Sequence, residues 1–286
     1  MINKEIKTLI ENLYPQAKIK LISEGDHSKA YKINNDYVLK VAKNDEGSKG
    51  LVKECKILKA IKGKTTVAVP KVVKTGSITI KNKECGYSIC SLVEGKKLSP
   101  EQFKKLSKPQ REQIAKDIAL FLTELHAIET NIPYKINRLQ ELDEQLEFIK
   151  QHYFERFDKR KQNQIIKFYE KEKEFTKQTT NRICLIHNDF SSSNILFDDN
   201  NFAGVIDFGD AGIGDEDNDF LCLLENSNEE FGRNFGKLVL KYYEHENPDL
   251  AIEKEKHKNA IWKYEELYYG TLYNDKEMIE EALQNI

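Results

Sequence analysis

The stretch Leu185-Ile186-His187-Asn188-Asp189-Phe190-Ser191-Ser192-Ser193-Asn194-Ile195-Leu196, followed by Val205-Ile206-Asp207-Phe208-Gly209-Asp210, decides how this chain is read. Its spacing is His-x-Asp-x4-Asn, then two short apolar runs at 195–197 and 203–206, then Ile-Asp-Phe-Gly. The turn Asp198-Asp199-Asn200-Asn201 between the runs makes them a hairpin. An isolated Asp is an ordinary turn residue, and an isolated Asn can simply cap a loop. The joint spacing, bracketed by apolar strands, is what carries meaning. Asn194 and Asp207 offer hard oxygen donors of the kind Mg2+ prefers. His187 reads as a residue that orients the loop backbone rather than one that reacts.

Working outward, the chain before this stretch has two characters. Residues 3–14 read as an amphipathic helix stopped at Tyr14-Pro15. Strand-like segments follow at 17–23, 30–33 and 37–42, the last two joined by Asn34-Asn35-Asp36. A helix is expected over 50–61, with Leu51, Ile57, Leu58 and Ile61 on one side, then strands at 71–80 and 87–93 about Lys81-Asn82-Lys83. After Glu94-Gly95 the period changes. Helical spacing covers 109–129, 138–157, 160–178, 228–246, 252–270 and 274–284, with a short helix at 220–225. The expected architecture is α+β and bilobal: a small antiparallel-sheet lobe, 1–94, and a larger, mainly helical lobe, 95–286.

Composition narrows the function classes. Of 286 residues, 39% are hydrophobic and 32% charged, which fits a folded, strongly hydrated protein. No apolar run approaches the roughly 18 residues that a membrane helix needs, and the charged start Met1-Ile-Asn-Lys-Glu lacks a signal peptide's apolar segment. Five scattered cysteines without a Cys-x-x-Cys pair indicate free thiols and a cytoplasmic protein. The net charge of -2 conceals a polarity: residues 198–286 hold 22 acidic and 8 basic side chains, the rest 37 basic and 25 acidic. A basic half suits an anionic ligand and an acidic half a cationic one. The basic residues are mostly Lys, without an Arg stripe interleaved with aromatics, so nucleic acid is not an expected partner. Gly63-Lys64-Thr65 is not a P-loop, because Leu58 stands where the first Gly is required.

The His187–Asn194 and Ile206–Asp210 segments resemble the catalytic and metal-binding loops of the protein-kinase-like phosphotransferases. Within them the chain resembles the aminoglycoside phosphotransferases, and the 2''-phosphotransferase subfamily in particular. His187-Asn-Asp-Phe-Ser, Ile206-Asp-Phe-Gly-Asp and Gly214-Asp-x-Asp-Asn-Asp-Phe-Leu-Cys-Leu-Leu carry the likeness, which is dense over 183–246 and weaker before it. The resemblance implies a kinase-like fold and γ-phosphoryl transfer from ATP or GTP, with two Mg2+ ions, to an aminoglycoside hydroxyl. Asp189 would act on the hydroxyl proton, and Asn194 and Asp207 would hold metal. Lys40, alone in the apolar run Val38-Leu-Lys40-Val, would contact the α/β-phosphates and pair with Glu54.

The same likeness gives Ser23-Glu-Gly25-Asp-His27-Ser28 the role of a reduced phosphate-covering turn, with Ser28 and backbone N–H groups cradling the nucleotide. In the connector Cys90-Ser91-Leu92-Val93-Glu94, the backbone of Ser91 and Val93 would read the purine edge, with Cys90 facing the base. Asp210, Glu229, Glu230, Glu265 and Tyr269 fall on acceptor-lining positions beside Asp189, with Trp262 nearby, while Asp217 and Asp219 brace the loop or cap the next helix. The dozen residues after Asp207 leave no long activation segment and no Ala-Pro-Glu, which suits a small acceptor rather than a peptide. A kinase of another small metabolite or a macrolide, and a non-catalytic nucleotide-binding module, remain alternatives. The acidic cluster favours an acceptor with several cationic groups.

Overall fold

A computed structural model of the chain describes residues 2–286. Helix α1 (Lys4–Leu13) is capped by Asn3, and its buried Ile6 and Ile10 lie against a five-stranded antiparallel sheet. The strands are β1 (Ile19–Glu24), β2 (Ser28–Ile33), β3 (Tyr37–Ala42), β4 (Val72–Ile80) and β5 (Lys83–Ser91), in the order β1-β2-β3-β5-β4. The β4–β5 hairpin turns on Lys81 and Asn82, both at positive φ (48° and 64°), which matches the right-handed twist of the flanking strands. Helix α2 (Asp45–Ile61) begins five residues earlier than its apolar spacing indicates. Its first turn is polar and is set by Asn44, whose side chain accepts from Gly47 N–H at 2.7 Å.

The C-terminal half contains α3 (Pro100–Lys104), α4 (Lys108–His126), α5 (Arg138–Tyr153) and α6 (Lys159–Thr179). Two small two-stranded sheets follow: β6 (Ile183–Ile186) with β9 (Gly212–Asp215), and β7 (Ile195–Asp198) with β8 (Asn201–Val205). Then come α7 (Asn218–Leu224), α8 (Arg233–Tyr243), α9 (Pro248–Tyr273) and α10 (Lys276–Asn285). Helical spacing had suggested one helix from 228. Gly232 at φ 93° instead delays α8 to Arg233 and leaves Glu229 and Glu230 on a loop.

One apolar core spans both halves. The end of α2 (Ile57, Leu58, Ile61), Val69 and Cys90 are buried together with α4, Phe190, Phe197, Phe208 and Phe220. A second core lies in the sheet half, around Tyr31, Leu39 and Ile89, and a third where α5, α6, α9 and α10 meet. The halves also touch by backbone. Lys96 and Phe197 exchange hydrogen bonds of 2.8 and 2.9 Å, and Val205 N–H donates to the Ala68 carbonyl at 3.0 Å. Gly204 is required at that crossing: a Cβ there would fall 2.3 Å from Val93 Cγ1 and 3.0 Å from the Ala68 carbonyl oxygen. Among the described residues, no helix is long and apolar enough to cross a membrane.

Candidate active site

Alternation along β3 places Leu39 and Val41 in the core and Lys40 on the opposite face. Its Nζ lies 2.7 Å from Glu54 Oε1, on α2, and 3.0 Å from Asp207 Oδ1, in the loop after β8. Burial by itself pulls the Lys40 ammonium down. The Glu54 and Asp207 carboxylates outweigh it and hold the group above the ordinary lysine range. Burial likewise pushes Asp207 up, but Lys40 dominates and holds it below the usual carboxylate range.

The loop after β6 is built on buried polar contacts. His187 is fully buried, and its Nε2 lies 3.0 Å from the Ile206 carbonyl, which assigns the proton to Nε2. Nδ1 then accepts from Asp189 N–H at 3.3 Å. Asp219, on α7, accepts from His187 N–H at 2.9 Å, Asn188 N–H at 2.7 Å and His126 Nε2 at 3.0 Å. Asp217 makes no cap bond to α7; its carboxylate meets His245 at 2.5 Å and Lys254 at 2.6 Å. Of the two readings for these aspartates, bracing is what their contacts describe.

Asn188 and Asp207 both adopt left-handed backbone (φ 65° and 66°). Such residues cost about 1–3 kcal/mol each and persist where neighbours over-determine them. For Asp207 those neighbours are the His187 bond to the preceding carbonyl, the Ile206 N–H bond to the Asn194 carbonyl at 3.0 Å, and Lys40. The Asn194 amide nitrogen donates to the Asp189 carbonyl at 2.9 Å and to its carboxylate at 2.7 Å. That orients the carboxamide and leaves its oxygen available to a cation. Burial pushes the Asp189 carboxyl up, opposed by His187 and reinforced by Asp210 and Asp207.

The β1–β2 turn is closed by Gly25 N–H donating to the Ser28 carbonyl at 3.0 Å, and Lys43 Nζ donates to the Gly25 carbonyl at 3.0 Å. In the connector, the Ser91 N–H donates to Lys71 at 2.8 Å and its hydroxyl accepts from Lys71 N–H at 2.9 Å. Val93 is buried against Gly204, and among the described residues its N–H has no partner within the chain. Cys90 is packed into the shared core.

The acidic residues separate into two kinds. Asp210 and Glu229 are exposed. Glu230 is buried, accepts from Ser192 N–H at 2.9 Å, and is pushed up to about 7, chiefly by burial. Glu265 is also buried, but its carboxylate pairs with Arg138 at 2.9 Å and so is engaged within the chain. Tyr269 is 42% and Trp262 51% exposed, and the Tyr269 ring lies 6.1 Å from that of Tyr273 in a near-parallel stack. Sequence reasoning left out Arg138 and Tyr273, because a lone Arg or Tyr on a charged helix carries no periodic or spacing signal.

A fold with a lysine–glutamate pair under a five-stranded sheet, facing an aspartate–asparagine loop and a left-handed aspartate, is that of a kinase-like phosphotransferase. Residues 18–255 match the profile of the Phosphotransferase enzyme family, and the chain belongs to that family. An aminoglycoside 3'-phosphotransferase of Escherichia coli is 29% identical over 142 residues, 49% of this chain and 52% of the relative. The chain thus spans about half the length of the curated relatives it matches. The gentamicin complex of APH(2")-IIa superposes with a TM-score of 0.90 at 29% identity, covering 99% of this chain and 95% of that one. The streptomycin–ATP complex of APH(2")-IIa gives 0.87 at 30% identity, covering 100% and 96%.

Proposed function

We propose that this protein is an aminoglycoside kinase. It moves the γ-phosphoryl group of ATP or GTP to a hydroxyl of an aminoglycoside, the 2''-hydroxyl by likeness to the APH(2") structures. Such phosphorylation confers antibiotic resistance in the cytoplasm. The observation that carries this reading is the Lys40, Glu54 and Asp207 cluster, with the Asp189–Asn194 pair joined to it by the Ile206 N–H bond to the Asn194 carbonyl.

Each residue has a task that its surroundings support. Lys40, kept charged by two carboxylates, holds the α- and β-phosphates, and Glu54 sets its position. The Gly25–Ser28 turn covers the phosphates, while the connector backbone at Ser91 and Val93 meets the purine. Asp189 accepts and orients the proton of the attacking hydroxyl. Its carboxyl, raised by burial, lies nearer to a general base's working range than an ordinary aspartate. The free Asn194 carboxamide oxygen and the Asp207 carboxylate form a hard oxygen donor set, and these residues would hold Mg2+, as two ions. Bound magnesium neutralises the charge of the β- and γ-phosphates.

Asp210, Glu229 and Glu230, together with the exposed Tyr269 and Trp262, supply the carboxylates and flat apolar faces that a polycationic sugar requires. A macrolide would call for a more apolar wall. The test is a phosphorylation assay with ATP and GTP against kanamycin, gentamicin and streptomycin, with the modified hydroxyl located by NMR. Phosphate appearing on a ring hydroxyl of an aminoglycoside is the expected result. Nucleotide binding with no transfer to any of the three would overturn the proposal.

A further inference from the structure

The turn proposed to lie over the nucleotide is not held by the sheet half alone. The His27 ring, in the β1–β2 turn, meets the Tyr273 ring at the C-terminal end of α9 edge to face, with centroids 5.9 Å apart and planes at 77°. The Tyr273 hydroxyl lies 3.4 Å from His27 Nε2, across 246 residues of chain. Tyr273 stacks in turn on Tyr269, and Tyr269 meets Tyr268 edge to face at 5.1 Å. An aromatic ladder on the acceptor side therefore ends on the nucleotide-covering turn.

The His27 side is anchored from beneath. Its carbonyl accepts from Lys43 N–H at 2.8 Å, and α2 approaches so closely that a Cβ at Gly47 would fall 2.1 Å from that oxygen. Displacing His27 therefore shifts the turn against α2, the helix that carries Glu54. The contact is also incomplete. If the phenol donates to Nε2, the ring proton sits on Nδ1 and needs an acceptor. His27 Nδ1 is the one buried side-chain nitrogen or oxygen among the described residues without a partner. An unpartnered buried ring nitrogen is costly, so the closed arrangement gains when a ligand brings it a hydrogen-bond partner. A triphosphate lying under this turn brings such acceptors.

We propose that His27 and Tyr273 are positioning residues that latch the nucleotide-covering turn to the acceptor-binding helix, so that nucleotide and aminoglycoside each favour binding of the other. The inference rests on the aminoglycoside kinase reading, and it adds a coupling that the shared cleft alone does not require. The polar surroundings fit a polycation at the latch: burial first, then the Asp26, Asp210 and Glu46 carboxylates, hold the Tyr273 phenol above its ordinary range.

The test compares the full-length wild type with Tyr273→Phe, which keeps the ring and removes the hydroxyl, and with Tyr273→Leu, which removes the stack as well. ADP affinity is measured by calorimetry with and without saturating kanamycin. In the wild type kanamycin tightens ADP binding about fivefold or more. In Tyr273→Phe that gain shrinks to less than twofold, and Tyr273→Leu shows no gain. Hydrogen exchange gives a readout independent of turnover: amides of residues 24–29 exchange faster in both variants than in the wild type. Equal coupling and equal exchange in all three proteins would overturn the latch while leaving the kinase reading intact. That reading fails separately, if the wild type phosphorylates no aminoglycoside.

Discussion

Lys40 and Asp207 stand 167 residues apart in the chain and 3.0 Å apart in space. One belongs to a strand of the five-stranded sheet, the other to the loop after β8 in the helical half. Each holds the other charged against burial, so the ion pair ties the sheet half to the loop after β8. Glu54 completes the triad from α2 at 2.7 Å.

Replacing Glu54 by Gln removes one of the two carboxylates that place Lys40. The remaining pair with Asp207 keeps the ammonium charged but leaves it free to swing. The expected outcome is a KM for nucleotide raised about tenfold, the worth of one charge-assisted hydrogen bond. Steady-state kinetics with varied ATP and GTP measure it, and an unchanged KM would show that Glu54 does not position Lys40.

Asp189→Asn keeps the shape of the loop and removes the proton acceptor. kcat is expected to fall by about 10²–10⁴-fold, with ADP affinity within about twofold of the wild type. Single-turnover kinetics and calorimetry separate the two quantities. Turnover at the wild-type level would refute the assignment of Asp189 as base.

Asp219 has no access to solvent and accepts from two backbone N–H groups and His126. Asp219→Ala strands all three donors in the interior. A loss of about 3–5 kcal/mol in unfolding free energy is expected, together with collapse of activity. The midpoint of urea unfolding reports the stability. A variant as stable as the wild type would mean that the loop needs no such brace.

Glu230 gives the chain a pH signature. Its carboxyl is raised by burial from the ordinary 4.5 to about 7, so between those values the folded protein binds a proton that the unfolded chain releases. Stability from this group is therefore fully present below about 4.5 and is lost as pH rises through about 7, on the order of 3 kcal/mol. Glu230→Gln removes that slope. Thermal unfolding of both proteins from pH 5 to 8, with the difference plotted against pH, makes the comparison; parallel curves would contradict the raised carboxyl.

Most of the order of elements, and the local spacing of Asp189, Asn194 and Asp207, were legible in the sequence, because strand and helix periods and fixed local spacings are properties of neighbouring residues; the short α3, β6 and β9 were not. Lys40 could be singled out for a similar reason, as one cation in an apolar strand. Helix starts with polar first turns, such as Asp45, were not legible, since capping leaves no apolar stripe. Tertiary structure decided what each acid does. Glu230 and Glu265 look alike along the chain, yet among the described residues burial leaves Glu230 with only the Ser192 N–H, while Arg138, on another helix, binds Glu265. Only folding could bring His27 to Tyr273 or Asp207 to Lys40, because the energy of a polar side chain depends on which distant partner and how little water surround it. That information resides in how α2, α7 and α9 bring Glu54, Asp219 and Tyr273 to their distant partners, not in any stretch of neighbouring residues.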